Sequence, residues 1–150
     1  MKAAFVLNFI RYTDWPEGSL GAPDSPIVAC VIGEPGSAAL AGIEGKTTKG
    51  RAVQIRAVAS AEEARACHAL FVAEPDPRRF VGTLRLLQRT PVLTIGDAEG
   101  FIDAGGMIGL VHLENRLQFE VNLGAVQQAQ LKASSVLLRL ARNVIAARPQ

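Results

Sequence analysis

Cysteine and histidine are scarce in this chain of 150 residues, which holds two of each. Two cysteines exclude a disulfide-rich scaffold and leave room for one bridge or for two buried thiols. A metal site built from Cys30, Cys67, His68 and His112 would need all four to converge from separate segments, because no C-x-x-C or H-x-x-x-H pair nucleates one. Charge of one sign is missing too. Sixteen Lys and Arg stand against fourteen Asp and Glu, for a formal net charge of +2. The basic residues are scattered (Arg51 and Arg56, Arg78 and Arg79, Arg85 and Arg89, Arg139 and Arg142) rather than gathered on a face, which argues against nucleic acid as a partner. No run approaches the roughly eighteen uninterrupted apolar residues of a membrane span, so no insertion in a bilayer is expected. The opening segment from Met1 to Asp14 carries Asn8, Arg11 and Asp14 and no small-residue cleavage site. It is expected to be neither signal peptide nor span, and an exported protein would have lost its signal already. The G-x-S-x-G elbow, the H-E-x-x-H pair and the phosphate-cradling G-x-x-x-x-G-K-S/T loop are all absent. With no adjacent nucleophile and base, neither enzymatic activity nor a cofactor is expected.

What is present describes a globular domain. Hydrophobic residues make up 49% of the chain and charged residues 20%. A chain of this size buries roughly 70% of the surface it would expose unfolded, enough for one core, and residues 1–150 are read as a single domain. Ala3 to Tyr12 has helical periodicity with Phe5, Phe9 and Tyr12 on one stripe, and Trp15-Pro16 ends it. Glu17 to Pro26 is a Gly- and Pro-bearing loop. Ile27-Val-Ala-Cys-Val-Ile32 is a continuous apolar run of the kind buried on both faces of a parallel sheet. Ser37 to Ile43 is a short helix, and Val53 to Val58 alternates like a strand near an edge. Ser60-Ala-Glu-Glu63 has the spacing of a capping box and opens another helix. Ala69 to Ala73 and Val92 to Ile95 are further buried strands, separated by a helix from Arg79 to Gln88 with Phe80, Leu84 and Leu87 inward. Met107 to Leu113, the Glu114-Asn115 turn and Leu117 to Asn122 form a hairpin, and a terminal helix is expected from Ala125 to Ala147. Alternating strands and helices point to an α/β fold: a mainly parallel, doubly wound sheet of about six strands, helices on both faces, and an antiparallel edge hairpin.

Glu34, Glu74 and Asp97 each follow a core strand, where open α/β sheets bind ligands, so they are a candidate rim for a solute or a hard cation; the more ordinary reading is that they cap the helices that follow. Gly33-Glu-Pro-Gly36-Ser37 lacks the G-x-G-x-x-G spacing and carries an anion-repelling Glu34, so it reads as a turn. His68 and His112 read as satisfied structural histidines. In strand order 2-1-3-4-5 the strands bearing Cys30 and Cys67 are neighbours about 4.8 Å apart, within reach of a bridge. From the residues alone, a bridge and two buried thiols remain equally open.

Several segments taken in order are similar to the YfiR family. They are Lys2-Ala-Ala-Phe-Val-Leu-Asn-Phe-Ile10 with Trp15-Pro16, then Gly45-Lys46, Gly50-Arg51 and Val53, then Cys67-His-Ala-Leu-Phe71. Val92-Leu-Thr-Ile-Gly-Asp97, Gly100-Phe101, Gly105-Gly-Met-Ile108, Asn115-Arg-Leu-Gln-Phe-Glu-Val-Asn-Leu123, Leu131-Lys-Ala-Ser-Ser135 and Leu137-Leu138 complete the set, which covers nearly the whole chain. The resemblance implies an exported periplasmic protein, often a homodimer. It would bind the periplasmic sensor domain of an inner-membrane diguanylate cyclase and hold it inactive, lowering cyclic di-GMP and biofilm formation. Cys30 and Cys67 fall where the family carries a disulfide, and the second pair found in some members has no counterpart here. The partner surface is expected on the terminal helix and the last hairpin strand, at Phe119, Leu137 and Leu138. Two competing readings are a periplasmic small-ligand sensor using the Glu34, Glu74, Asp97 rim and a cytoplasmic enzyme of unknown reaction.

Overall fold

The computed structural model describes residues 2–34 and 36–145. In chain order the elements are α1 (Lys2–Arg11), β1 (Thr13–Asp14), β2 (Ile27–Ile32), a 3-10 helix (Gly36–Ile43), β3 (Thr47–Thr48), β4 (Arg51–Val58), α2 (Ala61–Ala64), β5 (Ala69–Val72) and α3 (Pro77–Leu87). They continue with β6 (Leu93–Gly96), β7 (Ile108–Leu113), β8 (Arg116–Asn122), α4 (Leu123–Gln128), β9 (Lys132–Ala133), α5 (Ser135–Leu140) and β10 (Asn143–Ile145). One eight-stranded sheet has the order β10-β8-β7-β6-β5-β2-β4-β3, and β1 pairs with β9 in a small separate ladder. The four pairings from β4 through β2, β5 and β6 to β7 are all parallel, and β8 returns antiparallel against β7. The six strands read from the sequence therefore lie in the order 2-1-3-4-5-6, with the short β3 and β10 added at the two edges.

β2 explains why the run Ile27–Ile32 carries no polar residue. Its side chains alternate between two separate cores. Ile27, Ala29 and Val31 pack with Val6, Phe9, Ile10 and Leu40 under α1 and the 3-10 helix. Val28 and Cys30 face Phe80, Leu84 and Leu87 of α3 on the other side. β5 repeats the pattern, with Ala69 and Phe71 on the first face and Leu70 and Val72 on the second. A strand sandwiched between two helical layers loses water on both faces, so period-two polarity disappears.

The ends are capped as the sequence spacing requires. Ser60 Oγ accepts from Glu63 N at 3.2 Å, while the Glu63 carboxylate reaches back to Ala59 N at 2.9 Å. Asp76 caps α3 and Pro77 occupies its first turn, where a missing N–H costs nothing. Glu114 and Asn115 both adopt left-handed backbone, with φ of 50° and 63°, the turn that suits a two-residue hairpin. Phe101 accounts for two glycines: a Cβ on Gly96 would sit 2.6 Å from its ring and one on Gly106 2.2 Å. The ring fills the space above both glycines and meets Phe80 at 5.7 Å between centroids.

Two expectations are corrected. The buried face of α1 is Val6, Phe9 and Ile10, and Phe5 and Tyr12 are only partly covered. The long terminal helix is not formed: the segment breaks into α4, β9, α5 and β10. Gln130 enters the left-handed region at φ 64°, ending α4. Ser134 Oγ then accepts from Leu137 N and starts a new short helix, and Arg142 N donates to Phe119 O as the chain joins the sheet edge. Ala146 and Ala147, the last residues of the expected helix, lie outside the described residues.

Phe9 is 1% exposed and meets Phe119 at 4.8 Å between centroids. Phe9→Ala is expected to lower unfolding free energy by about 3–5 kcal/mol in denaturant titration. A loss well under about 1 kcal/mol would show that α1 is not part of the core.

Candidate functional site

Cys67 and His68 stand just before β5, and both reach to β2. Cys67 is bonded to Cys30 in a disulfide, with 6.1 Å between their Cα atoms. In the sheet register Cys30 lies opposite Leu70, the residue three places after Cys67, so Cys67 reaches it from the turn before β5 rather than across the ladder. The neighbouring His68 turns its ring toward the start of β2, where its Nδ1 accepts from Val28 N at 2.9 Å. Since Nδ1 accepts, the ring is neutral and carries its proton on Nε2, which donates to Ser19 O at 3.0 Å. Burial, the largest influence, and the Arg51 cation push the His68 pKa below its ordinary 6.5, against the Ser19 carbonyl, which raises it. Both ring nitrogens are engaged by backbone, so His68 is a structural histidine and has no free lone pair for use as a base. His112 is exposed on β7.

The loop between β1 and β2 is fastened from three directions. Trp15 Nε1 donates to His68 O at 3.0 Å, and the indole meets the imidazole edge to face. The Arg51 guanidinium donates to the carbonyls of Leu20 at 2.8 Å, Ala22 at 2.6 Å, Ser25 at 3.0 Å and Gly21 at 3.4 Å. Arg51 and His68 come from two distant segments and converge on residues 16–26, and Trp15 at the start of the loop is tied to His68. Sequence reasoning missed this convergence. The available signal was a Gly- and Pro-bearing loop whose carbonyls needed donors, with an arginine opening β4.

At the opposite, carboxyl-terminal edge of the sheet the three rim carboxylates do not act together. Glu34 is exposed. Glu74 accepts from Asp76 N at 3.2 Å and lines a cleft of about 290 Å³ with Gly33, Ala59, Arg79, Phe80 and Thr83. Asp97 is paired with Lys2 of α1. Among the described residues no three of His, Cys, Asp and Glu are grouped so as to hold a metal ion. A larger cleft of about 370 Å³ opens between the end of α3, the 102–107 loop and α4. Its lining mixes Arg89, Asp103, Asn122 and Gln128 with Leu84, Leu87, Ile102 and Met107.

The expected partner residues are corrected. Phe119 is 5% exposed and Leu137 2%, and Leu138 is partly buried against the same core. Phe119 packs edge to face on Phe5 and Phe9, so it belongs to the α1 layer rather than to a docking surface. Among the described residues the most exposed large apolar side chains are Leu86 on α3 at 55%, Leu140 at 65%, Val144 at 37% and Leu113 at 36%.

Comparison with known proteins meets this geometry. The model of the YfiR/HmsC-like family matches residues 1–142. The chain belongs to the YfiR/HmsC-like family. YfiR-like proteins are periplasmic regulators of diguanylate cyclase signalling, and a disulfide suits that oxidising compartment. No helix among the described residues is long and apolar enough to cross a membrane. No curated protein matches the chain in sequence. Among solved structures it is similar to the ABC domain from Streptococcus pneumonia in complex with L-Trp, at 12% identity and a TM-score of 0.53, covering 80% of this chain and 55% of that one. It is also similar to a conserved domain protein from Vibrio cholerae, at 12% identity and a TM-score of 0.58, covering 79% of this chain and 54% of the other. The YfiR-like chain spans about half the length of these structures, and what it shares with them at 12% identity is the α/β fold.

The disulfide spans 37 positions. Constraining a loop of that length in the unfolded chain contributes roughly 4 kcal/mol. Thiol counting on unfolded, non-reduced protein is expected to find none free, and reduction to lower the melting temperature clearly. Two free thiols per chain would remove the bridge.

Proposed function

We propose that this YfiR-like chain is a periplasmic regulator that binds the periplasmic sensor domain of an inner-membrane diguanylate cyclase and holds it inactive, lowering cyclic di-GMP and biofilm formation. The observation that carries the reading is the family match over residues 1–142. It acts by binding rather than turnover, as a single domain and as a homodimer. A regulator of this kind biases its target only by the difference in its affinity for the inactive and active states. The surface that senses this difference excludes the buried Phe119 and Leu137. The exposed Leu140 and Val144 near the β10 edge are the apolar groups nearest the expected region.

A second reading, a small-solute sensor, draws on the cleft beside α3, which sets Arg89 and Asp103 among apolar side chains. L-Trp, held by the Streptococcus ABC domain of similar fold, is its natural first probe.

Tagged chain expressed in the periplasm and purified from cross-linked envelopes is expected to retain an inner-membrane protein carrying a cyclase domain. Retention of no such protein, together with saturable L-Trp binding by the purified chain, would replace the first reading with the second.

A further inference from the structure

The two-sided hold on His68 admits one protonation state. Its Nδ1 faces the Val28 N–H at 2.9 Å and must offer a lone pair; its Nε2 faces the Ser19 carbonyl at 3.0 Å and must offer a proton. A second proton on the ring would set N–H against N–H at Val28, and the backbone there cannot turn away. Val28 O accepts from His68 N at 2.9 Å, and β2 is paired on both sides. The His68 backbone is equally fixed, since its carbonyl accepts from Leu93 N at 2.9 Å and from Trp15 Nε1 at 3.0 Å. The side chain is therefore the part free to yield. When it swings out, the Ser19 carbonyl loses its donor.

The electrostatic surroundings act in the same direction. β2 presents the Val28 N–H to the ring, the loop presents the Ser19 carbonyl and the Trp15 indole, and β4 presents the Arg51 guanidinium. Cys67 beside it is in the disulfide and does not titrate. A proton on His68 would thus face a cation that is already committed to four carbonyls of the same loop.

We propose that residues 16–26 form a proton-operated latch, closed over the amino-terminal edge of β2, β4 and β5 while His68 is neutral and loosened when His68 takes up a proton. This goes beyond the regulatory reading and does not depend on the identity of the partner. The sign follows from the direction of the shift. Burial first, then Arg51, lowers the ring's folded pKa below 6.5, against Ser19. The unfolded or released ring therefore binds a proton more tightly, so the closed loop is favoured above pH 6.5 and lost as pH falls through the lowered value.

Trp15, the single tryptophan of the chain, reports on the latch directly, with ring centroids 6.5 Å from His68. Release of the protonated imidazole changes the surroundings of the indole. Titrating intact, oxidised protein from about pH 8 to about pH 5 is expected to change Trp15 emission while far-ultraviolet circular dichroism stays unchanged. Below pH 6.5, amide exchange in residues 16–26, corrected for its intrinsic pH dependence, should accelerate about tenfold for each unit that pH falls until the lowered value is reached, the signature of opening coupled to one proton, and should be flat above pH 6.5. His68→Asn keeps an acceptor near the Nδ1 position and does not titrate, so it should abolish both transitions; His112→Asn should leave both in place. Should His68→Asn fail to fold, ring NMR of the unmodified protein decides. It is expected to show Nδ1 unprotonated at neutral pH, with proton uptake at the midpoint of the loop's exchange transition. Flat emission and exchange in the unmodified protein, persistence of the transitions in His68→Asn, or a ring that titrates apart from the loop would each overturn the latch.

Discussion

The attachment of Cys67 and His68 to β2 is the constraint on which the arrangement depends. Two consecutive residues reach the same central strand, one through a covalent bond to Cys30 and the other through a hydrogen bond to Val28 N. β2 is the strand from which the chain order runs in both directions, toward β4 on one side and β5 on the other. Fixing the start of β5 to it sets the register of the parallel sheet and closes the α3 layer over Cys30. His68 also holds the loop that enters β2, because its ring donates to Ser19 O and its carbonyl accepts from Trp15. A single dipeptide thus joins the core, the covalent framework and an exposed loop.

Much of this scaffold was legible in the sequence. Ile27–Ile32 names itself as a two-sided strand by lacking any polar residue, and Phe80, Leu84 and Leu87 mark the buried stripe of α3. The strand order follows from the alternation of elements and the handedness of their crossovers. The terminal segment was not legible. Its apolar spacing suits a helix, but the left-handed Gln130 and the hydroxyl of Ser134 interrupt it, and a one-residue backbone reversal leaves no periodic trace. Phe119 misled for a related reason. It alternates correctly on β8, but alternation states that one face is covered without stating by what, and here α1 covers it.

The site was harder to read than the fold because its parts act through backbone groups. Arg51 appears as one of several scattered basic residues, yet its guanidinium serves four carbonyls of one loop. The Glu34, Glu74, Asp97 rim has the opposite character. Each carboxylate follows a core strand as expected, but Asp97 is drawn to Lys2 and Glu74 to its own helix entry. Position at the strand ends gives nearness in the fold and does not by itself give convergence.

A protein that regulates by binding needs a stiff scaffold, since only differential affinity shifts its target and a compliant binder follows both states equally. The two cores on either face of the sheet and the bond through Cys67 supply that stiffness. The most direct measurement of the proposed function is cyclic di-GMP synthesis by a full-length membrane diguanylate cyclase retained with the chain from envelopes, in membrane vesicles with the oxidised chain supplied on the periplasmic side. Synthesis is predicted to fall saturably as the chain is added. Unchanged synthesis with the chain demonstrably bound to the sensor domain would contradict it.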